Sequence, residues 1–205
     1  MACADLGVNA VGFVFYAKSP RYLTPEKAGA IIAALPENVL PVGVFVDASI
    51  DAIVDIVTFF GIKAVQLHGS ESPRFVEDLL FLKIPIIKGL YMKGDPSVEN
   101  AFLYNASSFL IECEKGALPG GNAIQWKWED AEDFGEHFPF ILAGGLTPDN
   151  VSSAIRSAKP DAVDVSSGVE TSPGKKDITK IRQFIQNVQN TPLDKGLRSI
   201  FNESI

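Results

Sequence analysis

Short runs of apolar, often β-branched residues recur along the chain and set its rhythm. They cover residues 10–16 (AVGFVFY), 40–46 (LPVGVFV), 63–67 (KAVQL), 84–90 (IPIIKGL), 108–112 (SFLIE), 138–143 (FPFILA) and 161–166 (DAVDVS). Each is apolar almost throughout instead of alternating, the pattern of parallel strands covered on both faces. Stretches with helical signals lie between them. Residues 24–35 begin with Thr24 as cap and Pro25 in the first turn. Residues 49–60 place Ile53, Val54, Val57 and Phe60 on one face and stop at Gly61. Residues 72–82 open with Ser-Pro, 147–158 open with Thr-Pro, and 177–189 are amphipathic; 95–103 and 128–136 give weaker signals.

Strand followed by helix, again and again, predicts parallel βαβ units. An open doubly wound sheet and a (β/α)8 barrel both fit. The barrel needs eight strands, and seven are visible. Residues 2–9 read as the tail of a helix that runs straight into a strand, so the shortfall lies at the front. The expectation is an α/β chain, a (β/α)8 TIM barrel lacking its first strand and part of its first helix. Met1 would then be an internal methionine, or the sequence a truncated one. A single barrel domain is expected over 1–190. In the tail, 191–205, Leu193, Leu197, Ile200 and Phe201 share helical spacing, which predicts a short docked helix or a frayed end.

Composition narrows the function. The 205 residues are 46% hydrophobic and carry a net charge of −7, which speaks against non-specific nucleic-acid binding. No apolar run reaches the roughly 18 residues of a membrane helix, and the N-terminus lacks the basic and apolar regions of a signal peptide. Two cysteines, Cys3 and Cys113, give neither a disulfide framework nor zinc spacing. A reducing, cytoplasmic setting is expected. Cys3 reads as a small packing residue.

In a barrel, function collects at the C-terminal ends of the strands. Gly144-Gly145 follow the strand at 138–143, and Ser166-Ser167-Gly168 follow the strand at 161–166. Either motif alone is a plain turn. Two loops of small residues at consecutive strand ends, late in a barrel, have the composition of a phosphate cradle. Arg21, after the strand at 10–16, suits a carboxylate or phosphate, or a solvated basic loop. Gln66 would point into the barrel as a ligand partner, while His68 beside it fits a structural or a ligand role. Glu112 ends an apolar strand and is a candidate general acid, or a rim carboxylate paired with Lys115. Asp164 would be costly to bury alone, so it is expected to bond a ligand or a neighbouring base. No role is assigned to His137.

The stretches GFVFYAKSPRY (12–22), PVGVFVD (41–47), AVQLHGSE (64–71), LAGGLTPDNV (142–151) and VDVSSGVETSPGKKD (163–177) stand together in this order. In that combination the chain, up to about residue 189, resembles the phosphoribosylanthranilate isomerases of tryptophan biosynthesis. The resemblance implies a (β/α)8 barrel, no cofactor or metal, a small phosphorylated substrate and a monomer or homodimer. It implies an Amadori rearrangement of an aminoaldose to an aminoketose. A general acid protonates the ribose ring oxygen, the ring opens to a Schiff base, and a general base removes the C2′ proton. Carried across, Arg21 meets the anthranilate carboxylate, Gly144, Gly145, Ser166, Ser167 and Gly168 hold the phosphate, and Asp164 contacts the ribose. Gln66 and His68 match the family's Gln-Leu-His.

Three departures stand out. The first strand, which carries the family's catalytic Cys, is absent, and Cys3 aligns with the later part of the first helix. The acid position holds Glu112 where the family has Asp. The family's Gly-Gly-Ser/Thr-Gly loop reads Gly120-Gly121-Asn122-Ala123. These leave a second reading, a degenerate barrel that binds a phosphorylated ligand without turnover. Epimerase and indoleglycerol-phosphate synthase barrels fit less well, for want of histidines in the first case and of the early Lys and Glu set in the second.

Overall fold

The computed structural model describes residues 2–114 and 126–201. Seven parallel strands form one sheet in the order of the sequence: β1 (Ala10–Val14), β2 (Leu40–Phe45), β3 (Ala64–Leu67), β4 (Ile86–Lys93), β5 (Ser108–Glu114), β6 (Phe140–Leu142) and β7 (Ala162–Val163). Every neighbouring pair is parallel and in consecutive register, for example Val44↔Gln66 and Tyr91↔Glu112. Consecutive parallel pairing with helical crossovers is the winding of a (β/α)8 barrel. Among the described residues β1 pairs only with β2 and β7 only with β6, so the sheet is open along one seam.

The helices form where their caps dictate. Helix α2 (Pro25–Ile32) is capped by the Thr24 side chain on Lys27 N–H. Helix α3 (Ile50–Phe60) is capped by Ser49 and ends at Gly61, whose φ of 76° lies in the left-handed region. Helix α4 (Pro73–Glu77) is capped by Ser72. The expected helix at 72–82 breaks after α4 into a 3-10 turn, Leu80–Leu82, and 95–103 yields only the 3-10 turn Val98–Leu103. At 128–136 a 3-10 turn leads into α5 (Glu132–His137). Helix α6 (Val151–Ala158) starts four residues later than Thr-Pro suggested. The Asn150 side chain accepts from Thr147 N–H at 2.8 Å and donates to the Gly145 carbonyl at 2.9 Å, which folds 147–150 into a turn. Helix α7 (Ile178–Gln189) is capped by Asp177.

The core has two compartments. Large side chains such as Phe13, Phe45, Ile53, Phe109 and Phe140 fill the space between sheet and helices. A smaller inner cluster takes Val42, Ala64, Ile87, Leu110 and Ile141 from five successive strands. The tail enters this inner cluster at the N-terminal end of the strands, and the expected helix does not form. Residues 191–201 hold no helix, and Pro192 and Gly196 interrupt the spacing. Ile200 is buried among the inner residues, and its carbonyl accepts from Ser108 Oγ at 2.9 Å. Leu197 stays exposed. Arg198 anchors the segment on Asp161 at 2.6 Å and on the carbonyls of Gly135 and Phe138.

The seam between β7 and β1 is bridged outside the sheet. On its outer side, α1 (Ala2–Asp5) packs against α7, with Cys3 and Leu6 against the same cluster as Ile181 and Phe184. At the C-terminal end, Arg21 reaches Glu170, and Pro20 lies against Gly174 of the hairpin β8 (Glu170–Ser172) and β9 (Lys175–Lys176). Among the described residues no helix is long and apolar enough to cross a membrane.

Candidate active site

The C-terminal ends of β3, β4 and β5 deliver a cluster of buried polar side chains. The pleat points Gln66, His68, Tyr91 and Glu112 to the inner side, because Ala64, Ile87 and Leu110 on the same parity line the inner cluster. His68 Nδ1 lies 3.0 Å from the Gln66 amide. In the tautomer in which that amide donates to Nδ1, Nε2 carries the proton and faces Glu112 Oε2 at 3.7 Å. His68 and Glu112 are only 5% and 7% exposed. The Tyr91 ring meets His68 edge-to-face, with ring centres 6.4 Å apart.

Beneath the His68 loop sits an ion pair on the helix side of the sheet. Lys88, wholly buried, donates to Glu71 at 2.9 Å and to the Gly69 carbonyl at 2.8 Å. Glu71 in turn accepts from the backbone N–H of Asp47 and Gly69. This network fixes the turn that follows His68.

The ends of β6 and β7 offer backbone instead. Gly144 and Gly145 take φ of 81° and 68°, a conformation that favours glycine. Gly168 is packed so closely on the next loop that a Cβ there would run into the Leu146 carbonyl. The two loops therefore form one surface. Among the described residues, the N–H groups of Gly145, Ser167 and Gly168 have no hydrogen-bond acceptor. Lys176 adds a cation, donating to the Ser166 carbonyl at 2.9 Å. Free N–H groups on two adjoining loops beside a lysine suit an anion. This surface adjoins the acid cluster: a Cβ at Gly144 would lie 3.7 Å from Glu112 Cβ.

Asp164 follows β7, and no hydrogen bond to its carboxylate is present among the described residues. The residue is solvent-exposed, but protein atoms crowded around its carboxyl, and then the Glu112 charge, raise its pKa. Arg21 already has a carboxylate partner, Glu170, bound through Nε at 2.8 Å and Nη2 at 2.7 Å. Its other terminal nitrogen, Nη1, has no partner among the described residues. Burial works to raise the Glu170 pKa, but the hydrogen bonds of Arg21 and Lys176 outweigh it and hold the carboxyl below its ordinary value.

The structure brings the sequence-predicted Gln66, His68 and Glu112 into one cluster and the glycine and serine loops onto a neighbouring surface. Tyr91 escapes sequence reasoning, because it lies just past the apolar run 84–90, while β4 runs on to Lys93. Lys88 escapes it too, although a lysine inside IPIIKGL is a visible anomaly. Gly120–Ala123 and Lys115 lie outside the described residues. Neither cysteine lies at the site: Cys3 is on α1 at the outer layer, and Cys113 shares its parity with Phe109 and Ile111, which face the helices.

The sequence profile described as N-(5'phosphoribosyl)anthranilate (PRA) isomerase matches residues 1–187. The chain belongs to this family. It is 44% identical over 200 residues to the N-(5'-phosphoribosyl)anthranilate isomerase of Desulfatibacillum aliphaticivorans, covering 98% of this chain and 92% of that one. The crystal structure of the phosphoribosyl anthranilate isomerase from Thermotoga maritima superposes with a TM-score of 0.84 at 38% identity, over 92% of this chain and 91% of that one. A phosphoribosyl anthranilate isomerase solved with reduced 1-(o-carboxyphenylamino)-1-deoxyribulose 5-phosphate gives 0.81 at 38% identity over the same shares. The isomerase family and its barrel fold agree with what the sequence motifs implied.

Proposed function

We infer that the chain is an isomerase that converts N-(5-phosphoribosyl)anthranilate to 1-(2-carboxyphenylamino)-1-deoxyribulose 5-phosphate in tryptophan biosynthesis. The observation that carries the assignment of roles is the shared wall between the Gly144 turn and Glu112. A phosphate on the N–H groups of Gly145, Ser167 and Gly168 would place the attached sugar beside the buried carboxyl. Glu112 is then the general acid for the ring oxygen, and Asp164 binds the sugar hydroxyls. Gln66 orients His68, and both line the sugar subsite. Arg21, held by Glu170, presents Nη1 to the anthranilate carboxylate. In the family that the chain resembles, a cysteine on the first strand accepts the C2′ proton. The setting is cytoplasmic, without nucleic acid or membrane, and the protein acts as a monomer or homodimer.

The test is turnover of phosphoribosylanthranilate generated in situ, followed by loss of substrate fluorescence. The 205-residue chain is compared with one that carries a preceding strand bearing the cysteine. Turnover in the longer chain is expected. Silence in both, with the reduced product analogue still bound, would favour a barrel that binds the ligand without chemistry.

A further inference from the structure

Two buried polar atoms at the acid cluster have no hydrogen-bond partner among the described residues: His68 Nε2 and the Tyr91 hydroxyl. A buried hydroxyl without a partner is costly, and folded proteins rarely leave one without cause. Tyr91 is 1% exposed. Its position is fixed from three sides. It is the register partner of Glu112 across β4 and β5. Its ring packs edge-on against His68. Its backbone N–H is held by the Pro96 carbonyl at 2.9 Å.

We propose that Tyr91 is a substrate-binding residue whose hydroxyl donates a hydrogen bond to an oxygen of the sugar moiety held beside Glu112. The placement selects the sugar. The phosphate end is defined by the loops after β6 and β7, and the anthranilate end by Arg21 after β1. Tyr91 sits on the far side of Glu112 from the phosphate surface, next to the acid. A sugar oxygen there meets a donor (Tyr91), a ring nitrogen (His68) and a carboxyl (Glu112), a set that suits an atom able both to accept and to donate. The phenol stays a donor throughout the working pH range, since burial, and then the charges of Glu112, Glu71 and Asp47, push its pKa well above the ordinary phenol value.

This inference rests on the isomerase reading, and the experiment separates the two. The probe is the reduced 1-(o-carboxyphenylamino)-1-deoxyribulose 5-phosphate that a solved relative binds. Its affinity is measured for the wild-type chain and for Tyr91→Phe, with inorganic phosphate as a second probe. The variant should bind the analogue about 2- to 12-fold more weakly, the range of one net hydrogen bond, and bind phosphate as the wild type does. Its thermal midpoint without ligand should be equal or higher, because the unpartnered hydroxyl is gone. A purely structural role for the hydroxyl would lower the midpoint and weaken both probes, and that result overturns the proposal. Equal analogue affinity in the two proteins overturns it while leaving the isomerase reading intact. Failure of the wild type to bind the analogue overturns both.

Discussion

The two halves of the barrel mouth are built from different materials. On the β3–β5 side two of the three strands are long: β4 runs to Lys93 and β5 to Glu114. They carry side chains up to the rim, groups of the kind that can supply protons and directed hydrogen bonds. On the β6–β7 side the strands are short, ending at Leu142 and Val163. The chain turns early and presents main-chain N–H groups. The difference suits the tasks proposed for the two sides. An anion of fixed charge needs several donors at fixed distance, which the backbone provides without side-chain entropy. A moving proton needs a group that can change state, which only a side chain provides.

Each half should therefore fail in its own way. The largest effect is expected at Glu112→Gln, which keeps the shape and removes the transferable proton. Turnover should fall by about 10²- to 10⁴-fold, with analogue affinity changed little. If turnover survives, Glu112 is not the acid and the division between the halves is wrong. Gly168→Ala comes next. Its methyl group would push into the Leu146 carbonyl, with a strain of about 1–3 kcal/mol. Phosphate affinity should drop and KM rise while kcat is largely kept. A loss confined to kcat would mean that the loop serves the chemistry and not the anion.

The smallest effect sharpens the boundary between the halves. Burial, and then the Glu112 charge, raise the Asp164 pKa. For a raised carboxyl, stability is fully present below the unfolded value and lost as pH rises through the folded one. Asp164→Asn removes that loss. The variant should be slightly more stable than wild type at neutral pH, and the gain should vanish below the ordinary aspartate value of 3.8. A difference between the two that stays constant across pH would uncouple Asp164 from Glu112.

The same division explains what the sequence disclosed. Strands buried on both faces announce themselves as apolar runs, and Thr24, Ser49 and Ser72 mark their helices by cap chemistry. Glycine loops at strand ends were legible for the same local reason. The side-chain half was only partly legible. Gln66, His68 and Glu112 stand at strand ends, but the partnership of Tyr91 with Glu112 is a register between strands, and register is not local. Thr147-Pro148 misled because a tertiary turn, closed by Asn150, took the place of the helix start. The tail misled in the opposite sense. Its apolar spacing looked helical, while Ile200 answers to the inner face of strands far away in sequence.

That tail has a consequence for how the molecule assembles. The βα units make most of their contacts between neighbours in sequence, so they can gather progressively along the chain. The bond from Ser108 to Ile200 spans 92 positions. Closing so long a loop is entropically unfavourable, though the cost grows only slowly with length, and contacts of this kind slow folding. The inner cluster is thus sealed from beneath by a contact between parts of the chain far apart in sequence, at the end opposite the mouth.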